Sequence, residues 1–154
     1  AGAEIERVVI HPLTISRTDL GDNPEPLAVV WVGPILGVLL PLGVWFFWRI
    51  CRLPYSYLPR FFAGFCLIAN GCYIAFGPGS GPADTGVMMS LGTPRYLMLL
   101  FGLPCIAAGL ILWHKQGKHF GIGPEKEPVA PAAAILSCTL LTIALAAGFL
   151  FSPR

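Results

Sequence analysis

The chain has three histidines, the side chain that most often binds metals in proteins. His11 has no second ligand at a suitable spacing, so we predict a structural or solvated role for it. His114 and His119 flank the sequence KQGK, and five residues that include a glycine do not place two ligands on one helical face. We therefore predict no metal site. His114, beside Trp113, is a candidate ligand for a haem or pigment. The preferred interpretation is a polar anchor at a membrane interface.

Five cysteines are the other candidate ligands, and none belongs to a CxxC or similarly close pattern. Buried free cysteine behaves as a small apolar side chain, so packing is the favoured role. The chain also has no glycine-rich phosphate loop after a strand and no nucleophilic serine elbow. We predict no catalytic residue, and the sequence does not favour an enzyme. The cysteines are Cys51, Cys66, Cys72, Cys105 and Cys138.

The segments of the chain that would have to position any such reactive side chains are strongly apolar. The hydrophobic set makes up 55% of the 154 residues and charged residues only 12%, about half of the usual share of roughly 25% in soluble proteins. Ten basic and eight acidic side chains cannot cover the surface of a soluble domain of this size. The net charge of +2 is too small to indicate a nucleic-acid partner. This composition excludes a disordered tail, a nucleic-acid binder and an ordinary cytosolic enzyme.

Four apolar runs approach or exceed the length of about 20 residues that crosses a bilayer. They cover residues 27–50, 61–76, 96–113 and 129–151, and Arg49 is their only charged residue. The second run is short and spans a bilayer only if it is upright or is helped by its flanks. Tryptophan and tyrosine residues lie mostly near the ends of the runs, as expected at headgroup level. The sequence predicts an all-α integral membrane protein with a four-helix transmembrane domain over residues 27–151.

Residues 1–26 precede the first run and form a predicted extramembrane segment. A short β-like stretch runs from Arg7 to Ile15 and is rich in valine, isoleucine and threonine. A turn-rich stretch then extends from Asp19 to Pro26. We predict a hairpin or edge segment that is too small to fold alone.

Residues 77–95 form a loop rich in glycine and proline. A short helix from Asp84 towards Leu91 would turn Met88, Met89 and Leu91 towards the interface or a partner. We predict Thr93 as the N-cap of the third transmembrane helix, because a proline at the first helical position follows it.

The distribution of lysine and arginine predicts which side of the membrane each loop faces. Six of these residues belong to the two connections on one side of the membrane and four to the other side. The positive-inside rule then places both termini and the 77–95 loop outside. We predict the bacterial cytoplasmic membrane as the location.

Small residues at four-residue spacing predict close packing between helices. They occur in three of the four runs, and Asn70 is the most polar side chain within a run. This spacing serves packing within the chain and packing against another subunit equally well, so both interpretations stay open. The predicted helix-packing residues are Gly33, Gly37, Asn70, Gly71, Ala75, Ala144 and Gly148.

The sequence GAEIERVVIHPLT, residues 2–14, resembles the β segment that follows the first catalytic helix of site-2-protease-like intramembrane zinc metallopeptidases. The sequence VGPILGVLLPL, residues 32–42, is similar to the start of that family's next helix. The resemblance covers about residues 1–45 and implies a preceding helix with an HExxH motif. The chain contains no HExxH, and Asp84 in PADTG is its only counterpart to the family's third zinc ligand. Because the chain starts with Ala1 rather than methionine, a catalytic helix encoded upstream is an open expectation.

The favoured function is that of a non-catalytic accessory or scaffold subunit within the lipid bilayer, packed against other membrane proteins. We predict no cofactor, and a bound lipid or pigment remains open. The alternative is a fragment or inactive relative of the site-2-protease-like metallopeptidases. A third class is a small transporter or channel with a path along Asn70, Thr139 and Thr142. The absence of an ionisable residue at mid-membrane argues against that third class.

Overall fold

A computed structural model describes residues 5–9, 17–21, 25–81 and 83–151, with the backbone alone for the two strands. Four of its helices are long and apolar enough to cross a membrane, which confirms the predicted all-α, multi-pass integral membrane protein. The chain divides into two compact units, residues 27–128 and residues 1–26 with 129–154. The elements are β1 Ile5–Val9, β2 Arg17–Leu20, α1 Pro26–Ile50, α2 Tyr57–Phe76, α3 Asp84–Ser90, α4 Arg95–Trp113, a 3-10 turn Gly117–Phe120 and α5 Pro131–Phe151.

β1 and β2 form an antiparallel hairpin, in which Arg7 pairs with Asp19 and Val9 with Arg17. The predicted β-like stretch therefore coincides with a strand only over residues 7–9, and its remainder, with His11, lies outside the described residues. Asp19 and Leu20 lie in β2 rather than in a turn. Pairing with β1 satisfies their backbone groups and overrides the turn preference of aspartate.

All four spans begin within four residues of the predicted starts, and α5 begins at Pro131 rather than at residue 129. The starts of α2 and α4 are the most informative differences. α2 begins at Tyr57, four residues before Phe61, because Leu58 N–H donates to Tyr55 O and starts the first turn early. The resulting 20 residues make an adequate span. α4 has Pro94 as its N-cap, so the prediction for Thr93 was wrong. Thr93 N–H instead donates to Met88 O at 2.9 Å, which closes the end of α3.

The unit of residues 27–128 contains α1, α2 and α4 in alternating directions. Gly64 of α2 lies against Gly109 of α4, and Gly71 lies against Gly102. Because the contact advances by seven residues along α2 and moves back by seven along α4, the two helices are antiparallel. α1 joins them through an edge-to-face contact of Trp31 with Phe101. The unit therefore has two ends. We call the end formed by residues 49–60 and 113–128 the basic end, and the end formed by residues 77–95 the loop end.

The loop end is folded around a buried cluster rather than being irregular. Ile74, Met88 and Met98 are fully buried and in mutual contact. α3 confirms the short helix predicted from Asp84. Met88 is fully buried and Met89 packs against the same cluster, so neither was correctly predicted to face an interface or a partner. Thr85 Oγ1 donates to Pro78 O at 2.7 Å and holds α3 against the end of α2.

Candidate functional site: the helix-packing surfaces

Four glycines form the contact between α2 and α4, and we call them the glycine seam: Gly64, Gly71, Gly102 and Gly109. A Cβ atom on Gly71 would lie 2.7 Å from Gly102 O, and one on Gly109 would lie 2.7 Å from Gly64 O. Both distances are shorter than a carbon–oxygen contact allows. The two helix backbones therefore touch directly, which only glycine permits at these positions.

Two of the predicted helix-packing residues, Gly71 and Ala75, belong to the contact along the glycine seam. Three other residues of the seam were not predicted. Gly71 lies in the seam, and the Cβ of Ala75 would lie only 2.6 Å from a Cβ on Gly102. Gly64, Gly102 and Gly109 were not predicted. Their signal is the seven-residue glycine spacing in both helices, since seven residues return a helix to within about 20° of the same face.

Polar and aromatic contacts close the seam at the basic end. Trp113 Nε1–H donates to Phe61 O at 2.9 Å, and the two rings stack at 5.1 Å. Phe120 of the 3-10 turn packs on Phe61 at 4.9 Å. Arg60 reaches His114 through the backbone oxygen, with Nη2 at 3.4 Å. This contact uses the carbonyl of His114, whose side chain is exposed.

Glu127 ties the connection after α4 back onto the 3-10 turn. Lys118 Nζ lies 3.0 Å from Glu127 Oε1, and His119 Nδ1 lies 3.1 Å from Oε2. The hydrogen bond from Lys118 is the main reason why the pKa of the exposed Glu127 carboxyl is lowered, and the electrostatic interaction with Lys118 and the contact with His119 add to it. The His119 ring also stacks on Tyr57 at 4.7 Å. We call these four residues the Glu127 clamp.

Gly37 and Asn70, predicted from separate patterns, come together between α1 and α2. A Cβ on Gly37 would lie 2.9 Å from Asn70 Oδ1, so the glycine provides the space for the amide. Asn70 Nδ2 donates to Cys66 O of its own helix at 2.9 Å. The amide is thus accommodated by packing and by its own backbone.

The remaining predicted residues lie apart from these contacts. Around Gly33 no heavy atom of the described chain would lie within 4 Å of an added Cβ. Ala144 is exposed on α5 and Gly148 is buried. Thr139 and Thr142 each donate to the carbonyl four residues earlier in α5.

The structure brings no metal-binding set together among the described residues, since no group of three His, Cys, Asp or Glu side chains is close enough to hold an ion. All five cysteines belong to the described part and are free.

Four apolar helices, two of them joined by a glycine seam, define the class as a multi-pass integral membrane protein. Comparison with protein-family models, with curated proteins and with solved structures found no match.

Proposed function

We propose that the protein is a non-catalytic accessory or scaffold subunit, packed against other proteins in a larger assembly of the bacterial cytoplasmic membrane. One contrast supports this function most directly. At all four glycines of α2 and α4, atoms of the neighbouring helix occupy the space that a Cβ would need. On α1, by contrast, no described heavy atom would lie within 4 Å of a Cβ added to Gly33 or Gly43.

These two glycines lie on one side of α1, about 80° apart, with Leu36 and Leu40 between them at 100° per residue. We call these four residues the open face. Leu36 is 44% exposed and Leu40 is 62% exposed. A glycine inside a helix costs roughly 1 kcal/mol relative to alanine, and a close helix contact offsets that cost. A helix of another subunit would supply this contact.

The double variant Gly33→Leu/Gly43→Leu tests the proposal. No described heavy atom would lie within 4 Å of an added Cβ at either position, so we expect the thermal unfolding temperature to stay near that of the wild type. Partners that co-purify with the wild-type protein in mild detergent are lost. Ala107→Leu is the matched control, because Ala107 is an exposed small residue of α4 outside the open face; it retains the partners. A wild-type protein that purifies as a monodisperse monomer without partners would contradict the proposal.

We further propose that the basic end faces the cytoplasm and that both termini lie outside. Within residues 27–128, six of the seven lysines and arginines belong to the basic end. Arg95 is the exception, and its guanidinium donates to Gly77 O at 3.1 Å. Excess positive charge close to the ends of the helices supports a cytoplasmic location for that end.

The second candidate function is that of a fragment or inactive relative of the site-2-protease-like metallopeptidases. The resemblance of residues 2–14 and 32–42 supports it, and the missing HExxH argues for loss of activity or for a catalytic helix encoded upstream. Reading the codons before Ala1 separates the two functions. An HExxH within an apolar run would favour the metallopeptidase origin, whereas a start codon directly before Ala1 would eliminate it.

A further inference from the structure

The basic end has more positive charge than its own carboxylates neutralise. It holds six basic side chains and two glutamates, a net charge of +4. Lys118 is paired with Glu127, and Arg60 contacts His114 O. Arg49 lies over the Trp45 ring, with Cζ 6.0 Å from the ring centroid. The side chains of the other three cations make no hydrogen bond, ion pair or ring contact with any described residue, and we call them the unpaired cations: Arg52, Lys115 and Lys126.

Two of the unpaired cations occupy backbone positions that suit glycine. Arg52 has φ of 51° and Lys115 has φ of 58°, both in the left-handed region. Arg52 follows the end of α1, where Leu53 N–H donates to Trp48 O and Arg52 N–H to Arg49 O. This closing turn normally carries glycine at the left-handed residue. Long cationic side chains at these positions therefore do not stabilise the local backbone conformation.

The aromatic residues near Arg52 and Lys115 indicate the level of the lipid headgroups. Trp48 and Trp113 belong to the last turns of α1 and α4, and Tyr57 is the first residue of α2. Tryptophan and tyrosine favour the boundary between hydrocarbon and headgroups. Arg52 lies four residues after Trp48, and Lys115 lies two residues after Trp113. We therefore expect their side chains to reach the level of the lipid phosphates.

We propose that the basic end binds anionic phospholipid headgroups through Arg52 and Lys115, with Lys126 adding to the attraction. The phosphate oxygens accept hydrogen bonds from the guanidinium and ammonium groups, which supplies the counter-charge that the described residues do not provide. This site is independent of the open face of α1, so it can be present whether or not a protein partner binds there.

The test is a titration of the purified protein in neutral detergent with dioleoylphosphatidylglycerol and with dioleoylphosphatidylcholine. Binding is measured by native mass spectrometry. The wild-type protein binds the anionic lipid more tightly than the zwitterionic lipid. Arg52→Gly/Lys115→Gly lowers the affinity for the anionic lipid roughly 25-fold, about fivefold for each charge removed. Arg52→Lys/Lys115→Arg, which keeps both charges, stays close to the wild type.

The glycine variant also separates lipid binding from folding. Because glycine suits both left-handed positions, its thermal unfolding temperature without lipid is equal to that of the wild type or higher. A lower temperature would assign the two cations a structural role and overturn the proposal. Equal affinity for the two lipids would overturn it too, as would undiminished binding by the glycine variant. Equal stabilisation by inorganic phosphate would show that the site binds free anions rather than lipid.

Discussion

At the scale of single residues, we expect substitutions in the glycine seam to destabilise the protein most. Gly71→Leu places a side chain against Gly102 O and against the side chains of Cys105 and Ile106. Backbone cannot yield as a flexible side chain can, so we expect a loss of about 1–3 kcal/mol or more in the free energy of unfolding. Thermal unfolding in detergent measures it. Gly33→Leu is the control with equal added volume, and an equal loss in both variants would contradict the seam.

The hydrogen bond of Trp113 gives a second prediction at this scale. Trp113→Phe removes the Nε1–H donor to Phe61 O but keeps a ring to stack on Phe61. We expect the free energy of unfolding to fall by about 1 kcal/mol, the usual net value of one hydrogen bond. Trp31→Phe is the matched control, since the Trp31 Nε1–H makes no hydrogen bond with any described residue and a phenylalanine ring keeps the contact with Phe101. A larger loss for Trp31→Phe would contradict this role of Trp113.

At the scale of elements, the Glu127 clamp holds the connection after α4 in a pH-dependent way. The folded chain lowers the pKa of Glu127, so the clamp is fully stabilising above the ordinary carboxyl pKa. Its contribution is lost as the pH falls through the lowered value and the carboxylate is protonated. Protection of the Glu127 amide, which donates to Lys118 O at 2.9 Å, should fall over that acidic range.

Hydrogen exchange at the Glu127 amide measures this protection after correction for the intrinsic exchange rate. Glu127→Gln is the control, because it retains a hydrogen-bonding side chain without the titrating group. The variant should show no loss of protection in acid beyond the correction. Equal acid sensitivity in the variant would assign the effect to another group.

The scale of the whole molecule concerns the side of the membrane that each end faces. Cysteine introduced at Ser80, exposed at the loop end, should react with a membrane-impermeant maleimide in intact cells. Cysteine introduced at Glu125, exposed at the basic end, should react only after the membrane is opened. Serine replacement of the three exposed cysteines, Cys51, Cys72 and Cys138, removes the native background. The reverse labelling pattern would invert the proposed orientation.

The sequence by itself determined the class of protein. An apolar helix satisfies its own backbone and needs only length and freedom from charge to cross a bilayer, and both properties can be read from neighbouring residues. For this reason the four spans were predicted within a few residues, and α3 was predicted almost to its last residue. Gly37 and Asn70 were also identified by local pattern and composition, although nothing in the sequence indicated that they meet.

Only the tertiary structure decided which glycines serve the fold and which remain open. Gly33 and Gly71 look alike in sequence, each with a small residue four positions later. An added Cβ would meet a helix backbone at Gly71, whereas at Gly33 no described heavy atom would lie within 4 Å of it. The difference depends on the register between α2 and α4, which is set by residues more than thirty positions apart. It likewise took the fold to show that Lys118 is neutralised by Glu127 while Arg52 and Lys115 have no counter-charge in the described chain. Pairing of charges depends on distance in space, which the order of residues does not specify.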